Sequence, residues 1–316
     1  MSAGGGSLKV VIAALIGNGL IAIAKFVAYM FTLSSAMLAE SIHSLADTGN
    51  QALLLFGMKR AKRPPDAAHP YGYGKESYFW SFVVAISIFT LGAVFACYEG
   101  VHKLQNALGG DAVVKSQKIA IIVLGVSIVI ETFSFGVAIK EFNQEAKKMG
   151  LGLWAAVRET RKAEMVTVLF EDAAAMAGLL IALAGVSLTA LTGNAVYDGA
   201  ATLMIGVILA WVAWFLSVNT MRLLVGTSAN QQTEEKLRAI VDATAEVENI
   251  IDLKTIHFGA DTILLNLGLQ FSPTMAVHEL EQVIDSIEGQ VKSQVPEVKR
   301  IFIEADSLRH IGPRPD

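Results

Sequence analysis

The chain has 316 residues, 53% of them hydrophobic and only 17% charged, with six histidines and a mean hydropathy of +0.50. A soluble protein of this size carries about a quarter charged residues, so the composition points to a multispan membrane protein. The formal net charge of −4 gives no footing for nucleic acid, and a single cysteine, Cys97, excludes both a disulfide framework and a thiolate metal cage.

The start, MSAGGGSLKV, has one lysine before the first apolar stretch and no cleavage pattern, so it reads as a retained first span. Apolar segments fall at 8–31, 36–57, 78–101, 118–139, 165–191 and 196–220. Each approaches or exceeds the roughly 20 residues that a bilayer-spanning helix needs. Lys59, Arg60, Lys62, Arg63 and Lys75 follow the second segment; Lys147, Lys148, Arg158, Arg161 and Lys162 follow the fourth. The connection between the third and fourth holds only Lys103 and Lys115, with Lys118 at its edge and Asp111 opposed, and the turn between the fifth and sixth has no basic residue. This bias expects six spans with both termini cytoplasmic. The lack of a targeting segment favours a bacterial inner membrane.

Ionisable side chains at membrane depth are costly and are functional candidates for that reason. The first span holds Asn18 and Lys25, and an interior ion pair with a carboxylate of another span is the expected fate of Lys25. The second, AMLAESIHSLADTGNQALLLFG, carries Glu40, His43, Asp47, Asn50 and Gln51. His43 and Asp47 lie four residues apart, which sets an imidazole and a carboxylate one turn apart on one face. Such an N/O pair suits a divalent metal like Zn²⁺; the competing reading is structural polar glue between helices. In the next loop, RPPDAAHPYGYGKESYFW, Asp66 and His69 offer a weak surface metal site, but two ligands rarely suffice for stable binding, and a solvated turn is the preferred reading of the pair.

Glu131 in the fourth span is an accessory proton or metal carboxylate, or the partner of Lys25. The loop after it has Leu151, Leu153, Trp154 and Val157 beside Arg158, Arg161 and Lys162, the pattern of a helix lying on the membrane surface among its lipids. The fifth span pairs Glu171 with Asp172, followed by the small residues Ala173, Ala174, Ala175, Ala177 and Gly178, which let another helix approach.

After the sixth span the composition becomes that of a soluble domain. Helical patterns at 233–245 and 275–295 and strand patterns at 250–258, 262–271 and 298–304 give the order αββαβ. The expected architecture is an all-α six-helix transmembrane bundle over 8–222, followed by a C-terminal cytoplasmic α+β domain over 223–310, ferredoxin-like in its order.

HSLAD in the second span, HPYGYGKESYFW in the next loop and VTVLFEDAAAMAG in the fifth make the chain resemble the cation diffusion facilitator family. The stretch LWAAVRETRKAEMVTVLFEDAAAMAG looks most like the branch that includes the animal mitochondrial zinc transporter. The resemblance implies a homodimer that exchanges Zn²⁺, or Mn²⁺, Fe²⁺, Co²⁺ or Cd²⁺, for protons, without an organic cofactor. It implies a transport site shared between the second and fifth spans, to which His43, Asp47 and Asp172 correspond. The remaining family position is here Val168, which cannot ligate metal. Glu171 either takes over that role or faces away to pair with Lys25 or another helix, and Glu131 stands in reserve. Asp66 and His69 match two positions of a family site whose third is here Tyr73. In the last strand Glu304 and Asp306 match the family, while His257 and His278 lie elsewhere in the pattern, so no metal cluster is expected there.

The reading that follows is a secondary active exporter working by alternating access, not an enzyme. Metal needs neutral His43 and ionised Asp47 and Asp172, so protons and metal compete for the same groups. A Mn²⁺- or Fe²⁺-selective relative is the first alternative. A membrane-embedded metal hydrolase lacks an HExxH motif here, and a non-transporting scaffold is the remaining rival.

Overall fold

A computed structural model describes residues 5–32, 35–109 and 118–305, with the side chains of 28, 29, 31, 32, 35–40, 42, 43 and 119 outside that description. Apolar runs that leave water must satisfy their own backbone groups, and helices do so within one segment. The runs form α1 (Gly5–Thr32), α2 (Ser35–Ala61) and a third rod made of α3 (Glu76–Ser87), a π-helical segment (Ile88–Val94) and α4 (Phe95–Gly109). After them come α5 (Lys118–Lys148), the short α6 (Leu153–Glu159), α7 (Ala163–Thr192) and α8 (Val196–Val225). Five rods among the described residues are long and apolar enough to cross a membrane: those of α1, α3–α4, α5, α7 and α8. Helix α2 has the length, at 27 residues, but is set apart by its polar and charged side chains. The third rod departs from the plain helix expected of it by the π turn at its middle, and α5 runs past its expected end at 139 to Lys148.

Each rod turns one stripe inward. On α1 the buried stripe is Ser7, Val11, Ala14, Asn18, Ile21 and Lys25; on α5 it is Ser127, Glu131, Ser134, Ala138 and Phe142. Both follow the three- and four-residue spacing of one helix face. The opposite faces expose Ile16, Leu20 and Ile23, and Ile122, Val129 and Phe133. So much bare apolar surface is tolerated where the solvent is lipid.

Glycines set the closest approaches. A Cβ on Gly57 would lie 2.6 Å from Cβ of Trp80, so α3 presses against α2 there, and the Arg60 guanidinium grips Glu76 through two bonds of 2.6 and 2.9 Å beside it. On the α4–α8 crossing, a Cβ on Gly100 would meet the Leu203 amide nitrogen at 2.6 Å, and one on Gly206 would meet the Cys97 amide nitrogen at 2.7 Å. Van der Waals packing of this kind, between small residues, holds helices together where lipid removes the hydrophobic drive.

The chain divides into two compact units, one of residues up to Arg60 with Glu76–Met221, the other of Ala61–Lys75 with the chain from Arg222 onward. The second contains α9 (Gln231–Asp242), β1 (Val247–Gly259), β2 (Thr262–Phe271), α10 (Val277–Gln294) and β3 (Val298–Ala305). This is the αββαβ order expected from the sequence. β2 lies in the middle, antiparallel to β1 and parallel to β3. Its Ile263, Leu265, Leu267 and Leu269 point alternately into a core shared with Leu237 and Ile240 of α9 and Ile287 and Val291 of α10. The loop Ala61–Lys75 packs on this unit: Tyr71 stacks on Phe258 at 5.0 Å, and Lys75 Nζ donates to the Leu224 carbonyl at 3.1 Å.

Gly206→Ala is expected to lower stability. Overpacking against Cys97 costs about 1–3 kcal/mol, more than the ~1 kcal/mol of helix propensity that alanine adds. A melting temperature of the full chain in detergent checks this, and an unchanged or raised value would show that the α4–α8 crossing is loose.

Candidate functional site

The polar centre of the bundle begins with Glu171 of α7. Its side chain turns toward α2, where Asn50 Nδ2 donates to one carboxylate oxygen at 3.1 Å and Gln51 Nε2 to the other at 2.6 Å. Asn50, Gln51 and Glu171 are all buried. The neighbouring Asp172, 1% exposed, accepts from the Ser134 hydroxyl of α5 at 3.0 Å. Adjacent carboxylates on one helix thus reach different neighbours, because 100° of rotation separates them.

Asp47 of α2 joins these two at a cavity of about 50 Å³, whose wall also includes Asn18, Ser87 and Gly92. Ile88, Leu91 and Gly92 bring the π turn of the third rod to the site, a distortion common at functional positions. A second cavity, of about 120 Å³, shares Asn18 and Asp47 and adds Lys25, Ser44 and Glu131. Lys25 Nζ donates to Ser44 Oγ at 3.0 Å. Asp172, Asp47 and Lys25 are the charges whose field reaches Glu131. Asp47 is therefore the carboxylate common to both cavities.

The structure brings Asp47, Glu171 and Asp172 to one cavity and Asp47, Glu131 and Lys25 to the other. His43 lies on α2, but its side chain is outside the described residues. Among the described residues no three histidine, cysteine or carboxylate side chains converge as a ready metal cage. Val168 is fully buried in the apolar core. The helical wheel left the direction of Glu171 open; its partners are the amides of α2. Ser44, Ser87, Ser134 and the π turn were not singled out from the sequence. Serines at helical spacing from a buried carboxylate, as Ser134 is from Glu131, are the signal that was available.

The loop pair behaves differently. Asp66 accepts from the amides of Ala68 at 3.0 Å and His69 at 2.7 Å, and from the Tyr73 hydroxyl at 2.5 Å. His69 Nδ1 stands 3.6 Å from the same carboxylate, and its ring packs on Tyr73 at 4.2 Å. Asp66 and His69 are adjacent as the sequence implied, but the carboxylate serves as the hub of a turn. The Tyr73 hydroxyl first, then the His69 amide, hold the Asp66 carboxyl below the ordinary value of 3.8. In the C-terminal unit, His257 is buried with Nδ1 3.1 Å from the Gly259 carbonyl, Glu304 is exposed on β3, and Asp306 lies outside the described residues.

A helical membrane unit with a buried carboxylate centre, joined to a small α+β unit, is the build of an ion-handling membrane protein. The chain belongs to the cation efflux family: the profile "Cation efflux transmembrane domain" matches residues 11–225, and "Cation efflux protein, cytoplasmic domain" matches 229–308. It is 33% identical over 96% of its length to a Xenopus laevis protein named "Proton-coupled zinc antiporter SLC30A9, mitochondrial". It is 32% identical over 86% of its length to "Metal tolerance protein C4" of Arabidopsis thaliana. These alignments cover 53% and 58% of the relatives, so the chain spans a little over half the length of these two. "Manganese efflux system protein MneP" of Bacillus subtilis is more distant, at 23% over 95% of the chain and 96% of its own. The frog antiporter is mitochondrial by name, and the bacterial inner membrane expected from the sequence is not supported.

Tyr73→Phe is expected to raise the Asp66 pKa toward 3.8, because the largest cause of its depression is removed. A carboxyl depressed by folding stabilises the fold fully above its unfolded value, and that contribution fades as pH falls through the native value. The loop should therefore loosen only in acid, and in Tyr73→Phe at a higher pH than in wild type. Carboxyl titration by NMR measures both, and identical curves would show that the hydroxyl bond is immaterial.

Proposed function

We propose that the protein is a secondary active transporter that exports a divalent metal cation, Zn²⁺ first, in exchange for protons by alternating access. The observation that carries this reading is the meeting of Asp47, Glu171 and Asp172 at the wall of one cavity within the helical unit. Carboxylates gathered away from water favour a cation that brings its own charge. Oxygen ligands with one imidazole and no sulfur suit Zn²⁺, with Mn²⁺ or Fe²⁺ behind it. The names of the frog and Bacillus relatives, a zinc antiporter and a manganese efflux protein, support the same order.

In this reading His43, Asp47 and Asp172 hold the ion. Glu171 completes the set, since each of its oxygens gives one lone pair to an α2 amide and keeps another. Protons reload the same groups once the metal leaves, and the protein performs no covalent chemistry. Six spans, with α2 as the polar one, put both termini on the cytoplasmic side. Residues 8–222 then form the transport domain and 223–310 a dimerisation domain, giving a homodimer in the lipid bilayer. The metal is cargo, and no organic cofactor takes part.

Uptake of Zn²⁺ into proteoliposomes under a pH gradient tests the function directly. Dependence of uptake on the gradient is the expected result, and uptake indifferent to it points to a channel or a scaffold. Asp47→Ala and Asp172→Ala are each expected to reduce uptake to background while the chain still folds and dimerises. Either variant carrying Zn²⁺ at near wild-type rate overturns the ligand assignment.

Glu171→Gln probes the remaining position. It removes a charge at constant size and sets an NH₂ group against the donors of Asn50 and Gln51. Zn²⁺ affinity is expected to fall roughly tenfold or more, the scale of a lost charged ligand, with a shift in the pH dependence of uptake. Unchanged affinity and unchanged pH dependence would leave Glu171 a structural tie between α2 and α7.

A further inference from the structure

The second cavity holds a cation belonging to the protein itself. Lys25 continues the buried stripe of α1, is 4% exposed, and reaches Ser44 just under one turn before Asp47 on α2. Its cavity is the one that Asp47 and Glu131 line together. Glu131 is 2% exposed, yet its Oε1 has no hydrogen-bond partner among the described residues. A buried carboxylate oxygen left without a donor is costly and needs a reason. Asn18 and Ser44 are neutral polar groups on the same wall.

We propose that Lys25 is a tethered cation that competes with the transported ion for Asp47, and that Glu131 is the carboxylate to which its ammonium withdraws when the ion binds. The inference rests on the transporter reading given above. A lysine suits the role because its charge is compact and its four-carbon stem flexible, so the ammonium can change partners while the helix stays in place. The ion at Asp47 brings two positive charges within reach of a third, and like charges in a low-dielectric site repel strongly. The open oxygen of Glu131 gives the displaced ammonium a destination inside the same cavity. Lys25 then lowers affinity for the ion and speeds its release, which a carrier needs as much as binding. It is a positioning residue and touches no metal.

The test uses the full chain, with Zn²⁺ binding measured by calorimetry in detergent and uptake measured in proteoliposomes. Lys25→Gln should bind Zn²⁺ about tenfold more tightly, with KM and the maximal rate of uptake both lowered, because release slows. Lys25→Arg keeps the charge and should stay near wild type in affinity. Glu131→Gln removes the destination and should weaken Zn²⁺ binding, and this defect should vanish in Lys25→Gln/Glu131→Gln, where no competitor remains. Lys25→Gln binding Zn²⁺ no more tightly than wild type overturns the proposal, as does a Glu131→Gln defect that persists undiminished in the double variant. Should Lys25→Gln fail to fold, Ser44→Ala carries the test. It keeps every charge and removes the ammonium's tether, so Zn²⁺ affinity should rise a few-fold, and an equal or lower affinity overturns the proposal. A wild-type chain that neither binds nor carries Zn²⁺ defeats the transporter reading and this one together; one that carries Zn²⁺ while the Lys25 arms fail defeats only this one.

Discussion

A carboxylate carried away from water must be met by donors or by a cation, and the bundle is arranged around that requirement. Glu171 meets it with two amides from successive residues of α2. Because Asn50 and Gln51 are fixed on one helix, the pair of hydrogen bonds sets the axial position of α7 against α2, and with it the placing of Asp47 and Asp172 at one cavity. Ser134 then ties α7 to α5 through Asp172. Three helices are thereby registered by hydrogen bonds to two adjacent side chains. In lipid such bonds specify register where apolar packing alone is tolerant.

Close backbones make these bonds reachable. Gly17 brings α1 to Ser134, where a Cβ would stand 3.3 Å from the serine Cβ. The small Ala174 and Ala175 continue α7 past the carboxylates and line both cavities. Larger side chains there would fill the space of both cavities. The π turn at Ile88–Val94 acts in the same sense, since it is the stretch of the third rod that borders the smaller cavity. Helical geometry and site geometry meet at that segment.

Much of this was legible in the sequence, for specific reasons. Five of the six apolar runs expected became helices long and apolar enough to span among the described residues, because lipid tolerates few charges, and the alternation of Ile263, Leu265, Leu267 and Leu269 named the buried face of β2. Asp47, Glu131, Glu171 and Asp172 stood out because carboxylates are rare in such runs. Their partners did not. Nothing local distinguishes Asn50 and Gln51 as the holders of Glu171, a pairing across about 120 positions of chain. Helical angles placed Glu171 and Asp172 on different sides of Val168 without saying which neighbouring helix each would find. The π turn escaped because IFTLGAV reads as ordinary helix by composition. Asp66 and His69 were read, from residue type and family resemblance, as ligands of a weak metal site or as a solvated turn; the nearby Tyr73 hydroxyl and two backbone amides engage the carboxylate.

The two kinds of partner around the carboxylates imply two kinds of duty. Amide donors are neutral and fixed to their helix, so Asn50 and Gln51 can hold Glu171 whether or not a cation is present. In the proposed transport cycle, such a tie would preserve the α2–α7 register. A lysine, by contrast, satisfies a carboxylate by charge, and a second cation entering the same field alters the balance. The face of α2 toward α7 is therefore the fixed side of the centre, and the face toward α1 and α5, where Lys25, Asp47 and Glu131 meet, is the adjustable one. Asp47 belongs to both cavities because it lies between these faces. Under the proposed function, an ion that must be bound and also released would find that combination here, a rigid tie on one flank and an exchangeable charge on the other.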